Sequence, residues 1–279
     1  MKFNFFTFGG SVFWQDVFFY QKWRIQRHYF SKKYRLLDSW DIRRSYGSFE
    51  KCRRDFIKYI ESYEITKQKG KMIILLHGYA DGKNIFKPLW RKLILTNTTV
   101  AAINYPSLFC NSLTAAHQLA FFLNHMEDIT EVSFVTKGCG NLVLQRTFNL
   151  SPDLQVFRSK MRIGNIVEIN PVVRENPLCE RLARFKFSRF ILGPMLQDFT
   201  LKSLNKAPIL PLEFNVLRIF SSSKFASLVY KLLKIIIFRP SNDIIKSPHE
   251  LNISNSTFNS LKDAEILNYT INFISNGKI

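Results

Sequence analysis

From Lys71 onward, short apolar runs alternate with segments of helical spacing, and this alternation leaves few folds open. The run "MIILL" (72–76) has the continuous apolar character of a strand buried on both faces. "TTVAAINY" (98–105), "VSFV" (132–135) and "GNIVEIN" (164–170) repeat that mark. Between them, "NSLTAAHQLAFFLNHM" (111–126), capped by Asn111 or Ser112, and "NLVLQRTF" (141–148) are spaced as helices. Later, "FNVLRIF" (214–220) and "LLKIIIF" (232–238) supply further strands, and "DAEILNYTINFI" (263–274) a closing helix. Strands that alternate with helices form a mostly parallel sheet with helices on both faces, an α/β fold. In such sheets the chemistry gathers at the carboxyl ends of the strands. The turns after Leu76 and Val135 are therefore the first places to look.

Residues 1–66 follow another pattern. "WRIQRHYF" and "YRLL" pair as short strands, and "GSFEKCRRDFIKYIESY" is an amphipathic helix. Phe49, Cys52, Phe56 and Ile60 fall on one face of it, with Ser48 as N-cap. The expected organisation is a mixed N-terminal extension (1–66) and an α/β domain (67–279), folded together as one structural domain. No internal repeat or low-complexity linker interrupts them.

Composition narrows the partners. The 40 Lys and Arg against 21 Asp and Glu give a net charge of +19, which favours anionic surfaces. There is no long basic block, zinc-finger spacing or RNA-binding aromatic signature, so no specific nucleic-acid partner is expected. Cys52, Cys110, Cys139 and Cys179 lie far apart without metal-ligand spacing, as free thiols in a reducing compartment do. The aromatic N-terminus is interrupted by Asn4, Gly9, Gly10 and Asp16 and lacks the pattern of a signal peptide. "SLVYKLLKIIIF" (227–238) is too short to span a bilayer. A cytoplasmic protein, with peripheral contact to anionic membrane, is the expectation.

Three turns carry the chemical signal: "HGYADGKNIFKPLWRKL" (77–93), "INYPS" (103–107) and "FVTKGCGNLV" (134–143). In order and spacing they resemble the α/β-hydrolase fold, and within it the bacterial lipase/esterase-like proteins. That family has His-Gly in the first turn and Asn-Tyr-Pro-Ser in the second. In the third it has Phe-Val-Thr-His-Ser-Met-Gly-Gly-Leu-Val. Weaker agreement runs through "VFWQDVF…WRIQR…RLLD" and "INPVVRENPLCERL" (169–182) to "STF…EILNYTINFISNGKI", covering most of the chain.

The resemblance implies a serine nucleophile on a tight strand-to-helix turn, a histidine base and a carboxylate that orients it. The matching positions here are Gly138 for the nucleophile, Ser256 for the base and Asp243 for the acid. The backbone amides of Tyr79 and Cys139 match the oxyanion donors, and His77, Gly78 and Gly140 shape the turns. Gly138 has no side chain, and a Ser256 hydroxyl cannot act as a base near neutral pH. Cys139 is flanked by Lys137 and Asn141, where a nucleophile would need small neighbours, and reads as a small core residue. His249 is the nearest replacement imidazole, in a polar loop, and the chain between Lys246 and Ser256 is short enough that the last strand is trimmed or missing. The expected function is that of an inactive lipase/esterase-like protein that binds a lipid, an acyl group or a protein partner, without cofactor or metal. Two other readings stay open. One is an active ester hydrolase using Cys139 or a nearby serine with His249 and Asp243; the other is a decaying relic.

Overall fold

The computed structural model describes residues 12–68, 70–96, 98–150, 161–173, 177–184, 187, 192–222, 249–254 and 260–279. Four antiparallel strands come first: β1 (Trp14–Tyr20), β2 (Trp23–His28), β3 (Tyr34–Leu37) and β4 (Arg43–Gly47), side by side in chain order. Helix α1 (Phe49–Ser62) packs on this sheet. The Ser48 side chain accepts from the Lys51 N–H as its cap, and Cys52 and Phe56 are wholly buried against Phe18, Trp23 and Ile25. The extension thus holds four strands where the sequence suggested two, because β1 and β4 lack clean alternation.

The larger sheet contains β5 (Gly70–Leu76), β6 (Thr99–Ile103), β7 (Ile129–Lys137), β8 (Arg162–Ile169), β9 (Val216–Ser222) and β10 (His249–Ser254). Its order is β10-β9-β8-β7-β5-β6, with every pair parallel. Along β5, Met72, Ile74 and Leu76 face one layer and Ile73 and Leu75 the other, as the two-residue period of a strand requires. The first layer contains α3 (Ser112–Asn124) and α4 (Gly140–Asn149), and the second contains α2 (Lys87–Leu93) and α7 (Ala264–Asn276). Short helices α5 (Pro177–Ala183) and α6 (Leu201–Leu204) lie in the connection between β8 and β9.

Two expectations need correction. The last strand is not missing: β10 runs in register with β9 from His249↔Leu217 to Ser254↔Ser222. "HELNIS" alternates polar and apolar residues but is short and holds two apolar side chains, Leu251 and Ile253, so it does not stand out as the continuous apolar runs do. His249 therefore opens a strand instead of sitting in a polar loop. The strand expected over 232–238 lies outside the described residues, as does Cys179's side chain.

The extension is tied to the edge strand β6 by a buried polar cluster. Asp16 N–H donates to Asn104 O at 2.9 Å, and Asn104 N–H donates to Asp16 Oδ2 at 2.7 Å. The Asn104 side-chain amide donates to Trp14 O, and Gln26 and Arg24 donate to the same Asp16 carboxylate. Asn104 belongs to the "NYPS" stretch, so that motif anchors the extension as well as shaping the turn after β6.

Candidate active site

The strand order reverses at β5, whose chain neighbour β6 lies on one side and β7 on the other. At such a switch point the loops leaving the two strands diverge and open a crevice. The turns after β5 and β7 meet here.

Gly138 sits between the end of β7 and the start of α4 with φ +53°. That left-handed conformation is what lets a strand turn abruptly into a helix, and glycine adopts it without steric cost. Its N–H donates to Ile169 O at 3.0 Å, and Asn141 N–H donates to Gly138 O. A Cβ built on Gly138 would meet only Gly78 Cα, at 3.7 Å, an ordinary contact. Gly140 differs: a Cβ there would lie 2.7 Å from Leu76 O and 3.0 Å from His77 O. The frame of the turn is thus enforced at 140, whereas position 138 has room for a side chain it lacks.

Cys139, one residue along, points into the core. It is 1% exposed, its Sγ lies 3.3 Å from Met195 Sδ, and burial pushes its thiol pKa far up. A thiol held protonated and covered is not a nucleophile. Asn141 is also buried, exchanging hydrogen bonds with the Val172 backbone in both directions.

The facing turn is built around His77. Its ring is fully buried and stacks on Tyr105 at 4.1 Å. Nδ1 lies 2.8 Å from Gly78 O, and Nε2 accepts from the Tyr105 N–H at 3.3 Å. A nitrogen facing a carbonyl must donate, so the ring is the neutral Nδ1–H tautomer. Burial lowers its pKa to about 4. The Tyr105 hydroxyl donates to His77 O, closing the turn from the other side. His77 is a structural histidine here, with both nitrogens engaged.

Two contacts cross the crevice that the sequence did not reveal. Lys137 Nζ and Asp81 Oδ2 form an ion pair at 3.0 Å that links the two turns. Tyr79 donates its hydroxyl to Leu192 O and sets its ring edge-on to Phe199 at 5.8 Å. The segment carrying those partners is held by Asp198, which accepts from Ser112 N–H at 2.6 Å and pairs with Arg146 at 3.1 Å. Residues 192–199 therefore pack over Tyr79 and Cys139. A cleft of about 250 Å³ remains beside this point, lined by Val12, Ala80, Asp81, Gly82, Asn84, Ile85, Ser107 and Leu108.

His249 is not brought near the turn. In register, Lys137 matches Ile169, Ile219 and Leu251, so His249 lies three strands across and nearer the amino ends. Strand spacing and rise put it roughly 15–20 Å from Gly138. Its ring packs against Phe273 of α7, on the opposite layer. Asp243 and Ser256 lie outside the described residues, between β9 and β10 and just after β10 respectively. No group of three or more His, Cys, Asp and Glu suited to a metal ion occurs among the described residues.

No protein-family model matches the chain, and no curated protein is similar to it in sequence. Its backbone is similar to that of the metagenomic carboxyl esterase MGS0156, with a TM-score of 0.51 and 13% identity over 68% of this chain and 66% of that one. Tomato methylketone synthase I complexed with 2-tridecanone gives 0.46, with 12% identity over 76% of this chain and all (100%) of that one. Phospholipase PlaB from Legionella pneumophila gives 0.44, with 14% identity over 58% of this chain and 40% of that one. The chain thus spans about two thirds of the esterase's length and well under half of the phospholipase's. The parallel sheet with its reversal at β5, the glycine turn after β7 and the likeness to the esterase backbone lead to one conclusion: this chain has the α/β-hydrolase fold.

Proposed function

We propose that this protein is a non-catalytic α/β-hydrolase-fold protein, a pseudo-lipase/esterase that binds a lipid or acyl ligand in the cleft beside the turn after β5. One observation carries the reading. The residue at the strand-to-helix turn has the backbone conformation that a nucleophile elbow requires and, being Gly138, no side chain to attack with. The backbone amides of Tyr79 and Cys139 stand for the oxyanion donors, a part of the machinery that survives side-chain substitution. Neither substitute assignment finds support: Cys139 is sealed against Met195, and His249 belongs to the far end and other face of the sheet. The cleft's lining is mixed, with Val12, Ile85 and Leu108 beside Asp81 and Asn84, which suits an apolar chain with a polar head.

The test uses the purified protein with short-chain p-nitrophenyl esters and a fluorophosphonate probe. No turnover and no labelling are expected; covalent labelling at a single residue overturns the reading. The double variant Gly138→Ser/Ser256→His is expected to gain both labelling and slow ester turnover, because a Cβ at 138 meets nothing closer than 3.7 Å.

A further inference from the structure

One end of the N-terminal sheet carries a surface that the α/β-hydrolase fold does not account for. Phe13, Phe30 and Phe109 are mutually in contact, with ring centroids 5.0 to 5.9 Å apart. His28 and Trp14 extend the cluster. Such a cluster is normally core, yet Phe13 is 41%, Phe30 58% and Val12 43% exposed. Large apolar side chains held together in water mark a surface used for contact. Lys32 and Lys33 are exposed in the turn that carries Phe30. Asp16, the sole acidic residue of 1–37, is buried under Arg24, Gln26 and Asn104, and Glu50 in the first turn of α1 is the acid that the pairing of Tyr34 with Gly47 brings toward this end.

We propose that this aromatic and basic end of the sheet docks on a bilayer surface bearing anionic headgroups. Phenylalanine rings gain by entering the boundary between headgroups and acyl chains, while flanking lysines keep their ammonium groups at phosphate level. The negative surface potential of such a membrane attracts each nearby lysine. The position adds a second argument. Val12 and Leu108 line the cleft, and their chain neighbours Phe13, which is exposed, and Phe109, which is half-buried, belong to the aromatic trio. A bilayer seated on the trio would therefore lie at the cleft's mouth. The surface is independent of the missing nucleophile, so the proposal stands or falls separately from the non-catalytic reading.

The experiment is flotation of the full chain with phosphatidylcholine vesicles, with and without phosphatidylglycerol, at low and high salt. Binding is expected only with phosphatidylglycerol, and it should weaken as salt screens the lysines. Lys32→Ala/Lys33→Ala should lower partitioning roughly 30-fold, and Phe13→Ser/Phe30→Ser roughly tenfold or more. Far-UV circular dichroism and the thermal midpoint check that these surface variants are folded; if the phenylalanine variant is not, the lysine variant decides. The control Lys58→Ala/Lys262→Ala removes equal charge elsewhere and should change little. Absence of binding to anionic vesicles overturns the proposal. So does an equal loss in the control, which would mean net charge alone, or patch variants that lose a single-stranded oligonucleotide in place of vesicles.

Discussion

Gly138 and Gly140 look alike in sequence and are constrained by different physics. At Gly140 the neighbouring atoms are backbone oxygens of β5 and the turn after it, which cannot swing away. At Gly138 there is space, and only the left-handed φ disfavours a side chain. Gly140→Ala is therefore expected to cost about 2–3 kcal/mol by overpacking. Gly138→Ala should cost about 1 kcal/mol, from backbone conformation alone. Urea midpoints of the two variants, measured side by side, check the order; a larger loss at 138 would contradict it. His77 gives a pH test. Its folded pKa is depressed to about 4 from the usual 6.5, so the fold holds the neutral ring. Above pH 6.5 folded and unfolded chains are both neutral there and nothing changes. As pH falls toward 4, the unfolded chain takes up a proton that the folded one refuses, and stability drops by roughly 3 kcal/mol in all, levelling off below. Comparing the pH slope of unfolding with that of His77→Asn isolates this contribution from the carboxylates.

At the level of elements, Asp198 fastens the connection between β8 and β9 to the first layer of helices. Asp198 is 4% exposed, satisfies the Ser112 N–H in the first turn of α3 and pairs with Arg146 on α4. Met195, Leu196 and Phe199 beside it are buried. Replacing Asp198 with Ala takes the carboxylate from the part-buried Arg146 guanidinium, which keeps Ser203 Oγ, and from a helix-terminal N–H, a loss of about 2 kcal/mol. Faster proteolysis within 192–204 should accompany it, because the carboxylate bonds this segment to both α3 and α4. Unchanged protection would mean that Met195 and Phe199 hold the segment by packing alone. The sequence showed no pattern in this region because its anchors are single side chains that reach other elements, without periodicity.

At the scale of the whole molecule, the antiparallel extension and the parallel sheet share both core and polar contacts. Phe19 of β1 is packed in the same layer as α3 and β6, and the Asp16–Asn104 bonds cross the boundary. We expect one cooperative unfolding transition, in support of the single-domain organisation. Three of the 4 tryptophans (Trp14, Trp23 and Trp40) lie in the extension and Trp90 in the other part. Tryptophan emission and far-UV circular dichroism should therefore give coincident urea curves. An earlier fluorescence transition would show that the extension unfolds by itself. No helix among the described residues is long and apolar enough to cross a membrane.

The apolar runs and helical spacing were enough to read β5 to β9 and the helices α3 and α4, since strands buried on both faces are continuous in apolar residues. The glycine turn after β7 was legible for the same local reason: tight backbone geometry is written in residue type. The strands β1, β4 and β10 were not, because each pairs on one side only, and β4 and β10 carry no continuous apolar run of their own. Tertiary structure alone decided that His249 lies far from the turn, that Cys139 is covered by Met195, and that Asp81 and Lys137 bridge the crevice. Each depends on which strands stand beside which, and local sequence carries no record of a distance through space.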